Sequence, residues 1–117
     1  MENKMFSSTP TWEEVASTLD RKAPDMDCLM MAIYYRFQHE KADVSDVTTI
    51  VDDYFRRARW PRPTNLAATA NHCASKGWLT EAGKTEGRKM WRITRKGHDH
   101  VEELLNPQGT QQKEGTQ

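Results

Sequence analysis

The segment DMDCLMMAIYYRFQHEK at 25–41 constrains the chain most. Cys28, Met31, Ala32 and Tyr35 form one helical stripe, and Leu29, Ile33 and Phe37 widen it to most of the circumference. A helix apolar on so many sides must sit centrally, covered by other elements. Asp25 or Asp27 is placed to cap it, and His39, Glu40 and Lys41 return it to solvent. A chain of 117 residues has room for one core around such a helix and none for a second. The run is far shorter than the roughly 20 apolar residues that cross a bilayer, so no membrane partner is expected. The start, MENKMFSSTPTWEE, lacks the basic, apolar and small-residue order of a secretory leader, and a cytoplasmic location is expected.

The flanking segments supply the cover. Trp12, Val15, Ala16 and Leu19 recur at helical spacing, with Thr11 and Glu14 placed as a capping box, which predicts a short amphipathic helix ending before Pro24. That stripe serves either a dimer interface or the chain's own core. In VSDVTTIVDDYFRRARWP, residues Val44, Val47, Ile50, Val51, Tyr54, Phe55 and Ala58 share a face, predicting a helix over about 45–58. Pro61 and Pro63 then force a sharp turn. Leu66, Ala70 and Cys73 are the inward stripe of a further helix, capped by Thr64 and stopped at Gly77. The run WLTEAGKTEGRKMWRIT reads as an antiparallel hairpin, with Trp78 on the first strand, Trp91 and Ile93 alternating on the second, and Gly83 and Gly87 in the loop. Thr94 is placed to cap a last helix, RKGHDHVEELL, whose Val101, Leu104 and Leu105 turn inward. The tail at 106–117 contains no hydrophobic residue and is expected to be disordered. The fold class is thus mainly α with a small antiparallel β-hairpin. Its parts are an N-terminal arm at 1–24, one domain at 25–105 and the tail.

Chemistry beyond binding has little support. Cys28 and Cys73 lie far apart in sequence among apolar residues and read as buried reduced thiols rather than a disulfide or zinc pair. His98 and His100, two apart on a helix, point about 200° from one another and cannot share a metal. No HExxH, paired CxxC, phosphate-binding glycine loop or Ser/His/Asp order occurs, so no enzymatic activity, metal or cofactor is expected.

Charge is more informative. The 17 basic and 17 acidic residues cancel, but unevenly. Residues 1–55 hold 5 basic and 11 acidic groups, a net of −6; residues 56–98 hold 11 basic against Glu81 and Glu86, a net of +9; residues 99–117 carry a net of −3. Such asymmetry predicts a basic face on an otherwise acidic domain.

Three helices, a basic hairpin and a closing helix follow the order of the winged helix-turn-helix DNA-binding superfamily, which the stretch 26–105 resembles. The residues NLAATANHCASKGWLTEAG look like a recognition helix entering a first wing strand. The run MWRITRKG is similar to the "aromatic, x, Leu, Thr, x, Lys, Gly" signature of transcriptional regulators of the MarR and PadR kind. The resemblance implies duplex DNA as partner, with the 64–76 helix in the major groove and the 81–92 wing on the backbone. On that helix Asn65 would pair bidentately with adenine, Thr69 and His72 would donate to base or phosphate, and Ala68 would admit a thymine methyl. Those side chains equally suit the soluble side of a surface helix. Arg57, Arg59, Arg62, Thr64 and Lys76 on one side, and Lys84, Arg88, Lys89 and Arg92 on the wing, would contact the backbone, and four to six phosphate contacts are expected. The other reading is a winged-helix protein-interaction module or adaptor subunit without direct DNA binding. Its motives are the acidic residues Asp43, Asp46, Asp52 and Asp53 and the exposed-looking Trp12 and Trp60.

Overall fold

The computed structural model describes residues 10–19 and 22–106; the expected disordered tail lies outside them apart from Asn106. The first helix, α1 (Trp12–Ala16), starts at the predicted capping box: Glu14 N donates to Thr11 Oγ1 at 3.1 Å, and Thr11 N to Glu14 Oε1 at 3.0 Å. The long helix α2 (Asp25–His39) buries eight consecutive residues, 28–35, and packs against every other helix and the second hairpin strand. Its cover is therefore complete over two turns. Two expectations fail at its ends. Pro24 is the N-cap and no side chain caps it, so Asp25 and Asp27 act on the first turn only through the helix dipole. Phe37, past the buried stretch, is 39% exposed.

Helix α3 runs through three contiguous segments, Val47–Thr49, Ile50–Phe55 and Arg56–Ala58, the middle one wound as a π-helix. Ile50, Val51, Tyr54 and Phe55 all point into the core. The helix starts two residues later than expected. Asp46 caps it by accepting from Thr49 N at 3.0 Å, while Ser45 is drawn into a two-way backbone pairing with Trp91, at 2.9 and 2.8 Å. The chain leaves α3 through Arg59, left-handed at φ 61°, and passes Trp60 into the proline turn.

Helix α4 (Leu66–Ser75) ends in a Schellman turn: Gly77 adopts φ 83°, Gly77 N donates to Ala74 O, and Trp78 N to Cys73 O. Strands β1 (Leu79–Thr85) and β2 (Arg88–Ile93) are antiparallel and joined by the two-residue turn Glu86-Gly87. Both turn residues have positive φ, as a type I′ turn requires. Gly83, expected in the loop, instead sits in a bulge where the register shifts between Glu81 and Lys84. Trp78 precedes β1 rather than belonging to it, and stacks on His100 at 3.8 Å.

The Thr-x-x-Gly run that carried much of the resemblance has a local mechanical role. Thr94 caps α5 (Arg95–Leu105) by accepting from Gly97 N at 3.0 Å. Its hydroxyl donates to Gly77 O at 2.6 Å and its backbone N–H to Trp78 O at 3.0 Å. Gly97 lies so close to this junction that a Cβ would fall on the Trp78 carbonyl oxygen and within 2.8 Å of Met30 Cε. One threonine and one glycine thus seat α5 on the α4–β1 corner.

Trp12 and Trp60 are not free aromatics. Trp12 is fully buried, donates from Nε1 to Tyr54 O at 2.9 Å, and meets the rings of Tyr35, Tyr54 and Trp60. Trp60 is half-buried, edge-on to Trp12 and Phe55. The α1 stripe is spent on the chain's own core, which removes the apolar surface proposed for a dimer.

Gly97→Ala should destabilise the fold by about 1–3 kcal/mol through forced displacement of the Trp78 backbone, and Thr94→Ala by about 1 kcal/mol through loss of the cap; urea midpoints at constant m-value test both. Burial pushes the Cys28 and Cys73 thiols up to about 12, so at pH 8 a thiol reagent should leave both unmodified in the native protein and titrate both after unfolding.

Candidate nucleic-acid interface

Helix α4 presents its outer face beside the wing. Thr69, Ala70 and Cys73 are buried and Leu66 packs partly on the core, so the inward stripe is 66, 69, 70 and 73. The outward side is Ala67, Asn71, His72, Ser75 and Lys76, with Ala68 half-exposed. Between this face, the start of α3 and the wing tip lies a groove of about 340 Å³. Asp46, Val47 and Thr48 line it from α3, Leu66, Ala67, Ala70 and Asn71 from α4, and Gly87, Arg88, Lys89 and Trp91 from the wing.

A polar network behind the wing fixes this geometry. Arg36 on α2 donates from Nε to Ser45 Oγ at 2.7 Å and from Nη1 to the Tyr54 hydroxyl at 3.5 Å; that hydroxyl donates in turn to Glu40 Oε1. Burial, together with the Glu40 carboxylate, pushes the Tyr54 phenol up. The pairing of Ser45 with Trp91 then ties the network to β2.

Two of the residues expected to read bases, Asn65 and Thr69, stand differently. Asn65, not Thr64, is the N-cap: its Oδ1 accepts from Ala68 N at 3.0 Å, which occupies one of the two groups that bidentate adenine pairing needs. Thr69 is only 8% exposed and its hydroxyl donates to Asn65 O at 3.1 Å. His72 is exposed, as expected. The sequence reading missed Asn71, whose carboxamide has no hydrogen bond to a described residue and which lines the groove. The spacing 66, 69, 70, 73 is the i, i+3, i+4, i+7 signal that would have placed it outward.

The basic residues divide into two sets. Arg57 donates to Glu13 Oε2 at 3.1 Å and lies 3.7 Å from Asp53; Arg62 meets Asp52 at 2.7 Å, Arg88 meets Asp46 at 3.6 Å, Arg92 meets Asp43 at 3.0 Å, and Lys89 lies 3.8 Å from Glu81. The hydrogen bond from Arg57 holds the Glu13 carboxyl below its usual range and raises Arg57 in return. Arg59, Lys76 and Lys84 form no ion pair with a described residue. The structure brings Arg88 and Lys89 to the groove with α4, and Lys84 stands directly across from Lys89 in the hairpin. Arg57 and Arg62 are instead held back against α1 and α3. Like charges directly opposed on a hairpin repel, and here Glu81 offsets the charge of Lys89 while Lys84 has no such partner among the described residues. The acidic side chains of 43–53 pair with these same arginines, Trp12 is buried, and Trp60 is half-buried against it.

The two C-terminal histidines face different neighbours. His98 packs on Tyr34, with Nδ1 at 3.6 Å from Glu102 and Nε2 at 3.4 Å from Gln38, whereas His100 meets Asp27 at 2.8 Å. The ligand atoms of His98, Asp99 and Glu102 lie within 4.8 Å of one another, a grouping the sequence reading did not identify. Both nitrogens of His98 are already turned to protein partners. Among the described residues, no helix is long and apolar enough to cross a membrane. Compared with family models, curated proteins and solved structures, the chain matches none.

Proposed function

We propose that the chain is a winged-helix protein that binds duplex DNA as a small transcriptional regulator, with the 64–76 helix in the major groove and the 81–92 wing on the backbone. The observation that carries the reading is the shared groove: the flank of α4 that carries Leu66, Ala67, Ala70 and Asn71 and the basic wing tip border one space, at a separation fixed by the pairing of Ser45 with Trp91. Lys84, which has no ion pair with a described residue and stands opposite Lys89 in the hairpin, gives phosphate a reason to bind at the wing tip. Ala67 and Ala68 keep the centre of the α4 face low, which lets the helix backbone approach a groove floor.

The ion pairs reduce the electrostatic share of binding below what a count of basic residues suggests. Arg59, Lys76 and Lys84 are ready to release counterions, whereas Arg57, Arg62, Arg88 and Arg92 must first leave a carboxylate. Fluorescence anisotropy of a labelled duplex across a salt series should give a slope of about −3 in log K against log salt. Asp46→Asn keeps a capping side chain at the start of α3 but releases Arg88, so it should tighten binding and steepen the slope by about 1. A protein that leaves duplex DNA unbound at low salt would overturn the reading.

A further inference from the structure

We infer that Asn71 reads an adenine, so that the preferred duplex carries an A·T pair opposite the centre of α4. The inference rests on the duplex-binding reading and adds the base that the site selects. Bidentate recognition of adenine in the major groove needs a carboxamide with both its oxygen and its amide nitrogen free, because the base presents an N7 acceptor beside an N6 donor. Only Asn65 and Asn71 carry a carboxamide within α4, its cap and the wing. The two differ decisively. Asn65 Oδ1 is committed to Ala68 N, and breaking that bond to meet a base would uncap the helix. The Asn71 carboxamide forms no hydrogen bond with a described residue, is exposed, and stands in the middle of the helix rather than at its edge.

Its surroundings fit the same assignment. Ala67, one turn before Asn71 on the same face, is exposed, and Ala68 beside it is half-exposed; their methyl groups leave room for the thymine methyl that accompanies adenine. Ser75, one turn after Asn71, turns its hydroxyl back to His72 O at 2.8 Å and does not compete for the base. Across the groove, Arg88 and Lys89 are placed to hold the phosphates that fix the register of α4 on the duplex.

Selection from a randomised duplex library, read by sequencing, tests the assignment with wild type, Asn71→Ala and Asn65→Ala. Wild type should enrich adenine at one position of each bound site. Asn71→Ala should lose that preference by roughly 5- to 150-fold. Asn65→Ala should keep the preference and lower the melting temperature, since it removes only the cap. Duplex binding by wild type without an adenine preference, or an adenine preference that survives Asn71→Ala, overturns the inference and leaves the duplex-binding reading standing. A wild type that binds no duplex at low salt overturns both.

Discussion

The full burial of residues 28–35 on α2 governs everything around it. A helix with no solvent face over two turns cannot be served by one partner. It requires neighbours on every side, and here α1, α3, α4, α5 and β2 each supply one. This demand explains why a short element such as α1, too short to be stable alone, is ordered: Trp12 packs beside Tyr35, and the indole N–H is satisfied by Tyr54 O. It also explains the tight seat of α5, where Gly97 lets the last helix approach until Met30 and the Trp78 carbonyl fill the space a side chain would take. The surfaces left for function are those that α2 does not need.

Charge follows the same logic of internal completion. The acidic first half and the basic second half do not form separate poles. They meet along the edges of α3 and the wing in exposed pairs such as Asp43 with Arg92 and Asp52 with Arg62. Exposed pairs of this kind add little to stability, about 0–1 kcal/mol each, so their larger effect is on which cations are available to a partner. Within the candidate interface Arg57, Arg62, Arg88, Lys89 and Arg92 are matched by carboxylates, and Arg59, Lys76 and Lys84 have no ion pair with a described residue.

What the sequence revealed was chiefly what is local. The Thr11 and Thr94 caps, the Gly77 stop and the inward run of α2 depend on residues within a turn of one another, and each stands where spacing put it. Misplacements arose where a distant segment intervened. Ser45 reads as the first residue of a helix until Trp91, far along the chain, takes its backbone groups and moves the cap to Asp46. Trp12 and Trp60 look exposed among charged and proline residues, and only tertiary packing brings them together. In the candidate site the hairpin and the α4 helix were legible from pattern. Reading the inward stripe of α4 from Leu66, Ala70 and Cys73 alone left the polar Thr69 outside it, which promoted Thr69 and hid Asn71.

The two backbone hydrogen bonds between Ser45 and Trp91 have a consequence for association. A lone two-stranded hairpin is marginal in water and would sample many orientations before meeting a partner. Here β2 is stitched to Ser45, just ahead of the Asp46 cap of α3, and Ser45 is itself gripped by Arg36 from the central helix. The hairpin therefore surrenders its rotational freedom when the chain folds. A hairpin ordered in this way carries little of the ordering cost that a floppy arm would bring to a contact, and it stands as a rigid extension of the core.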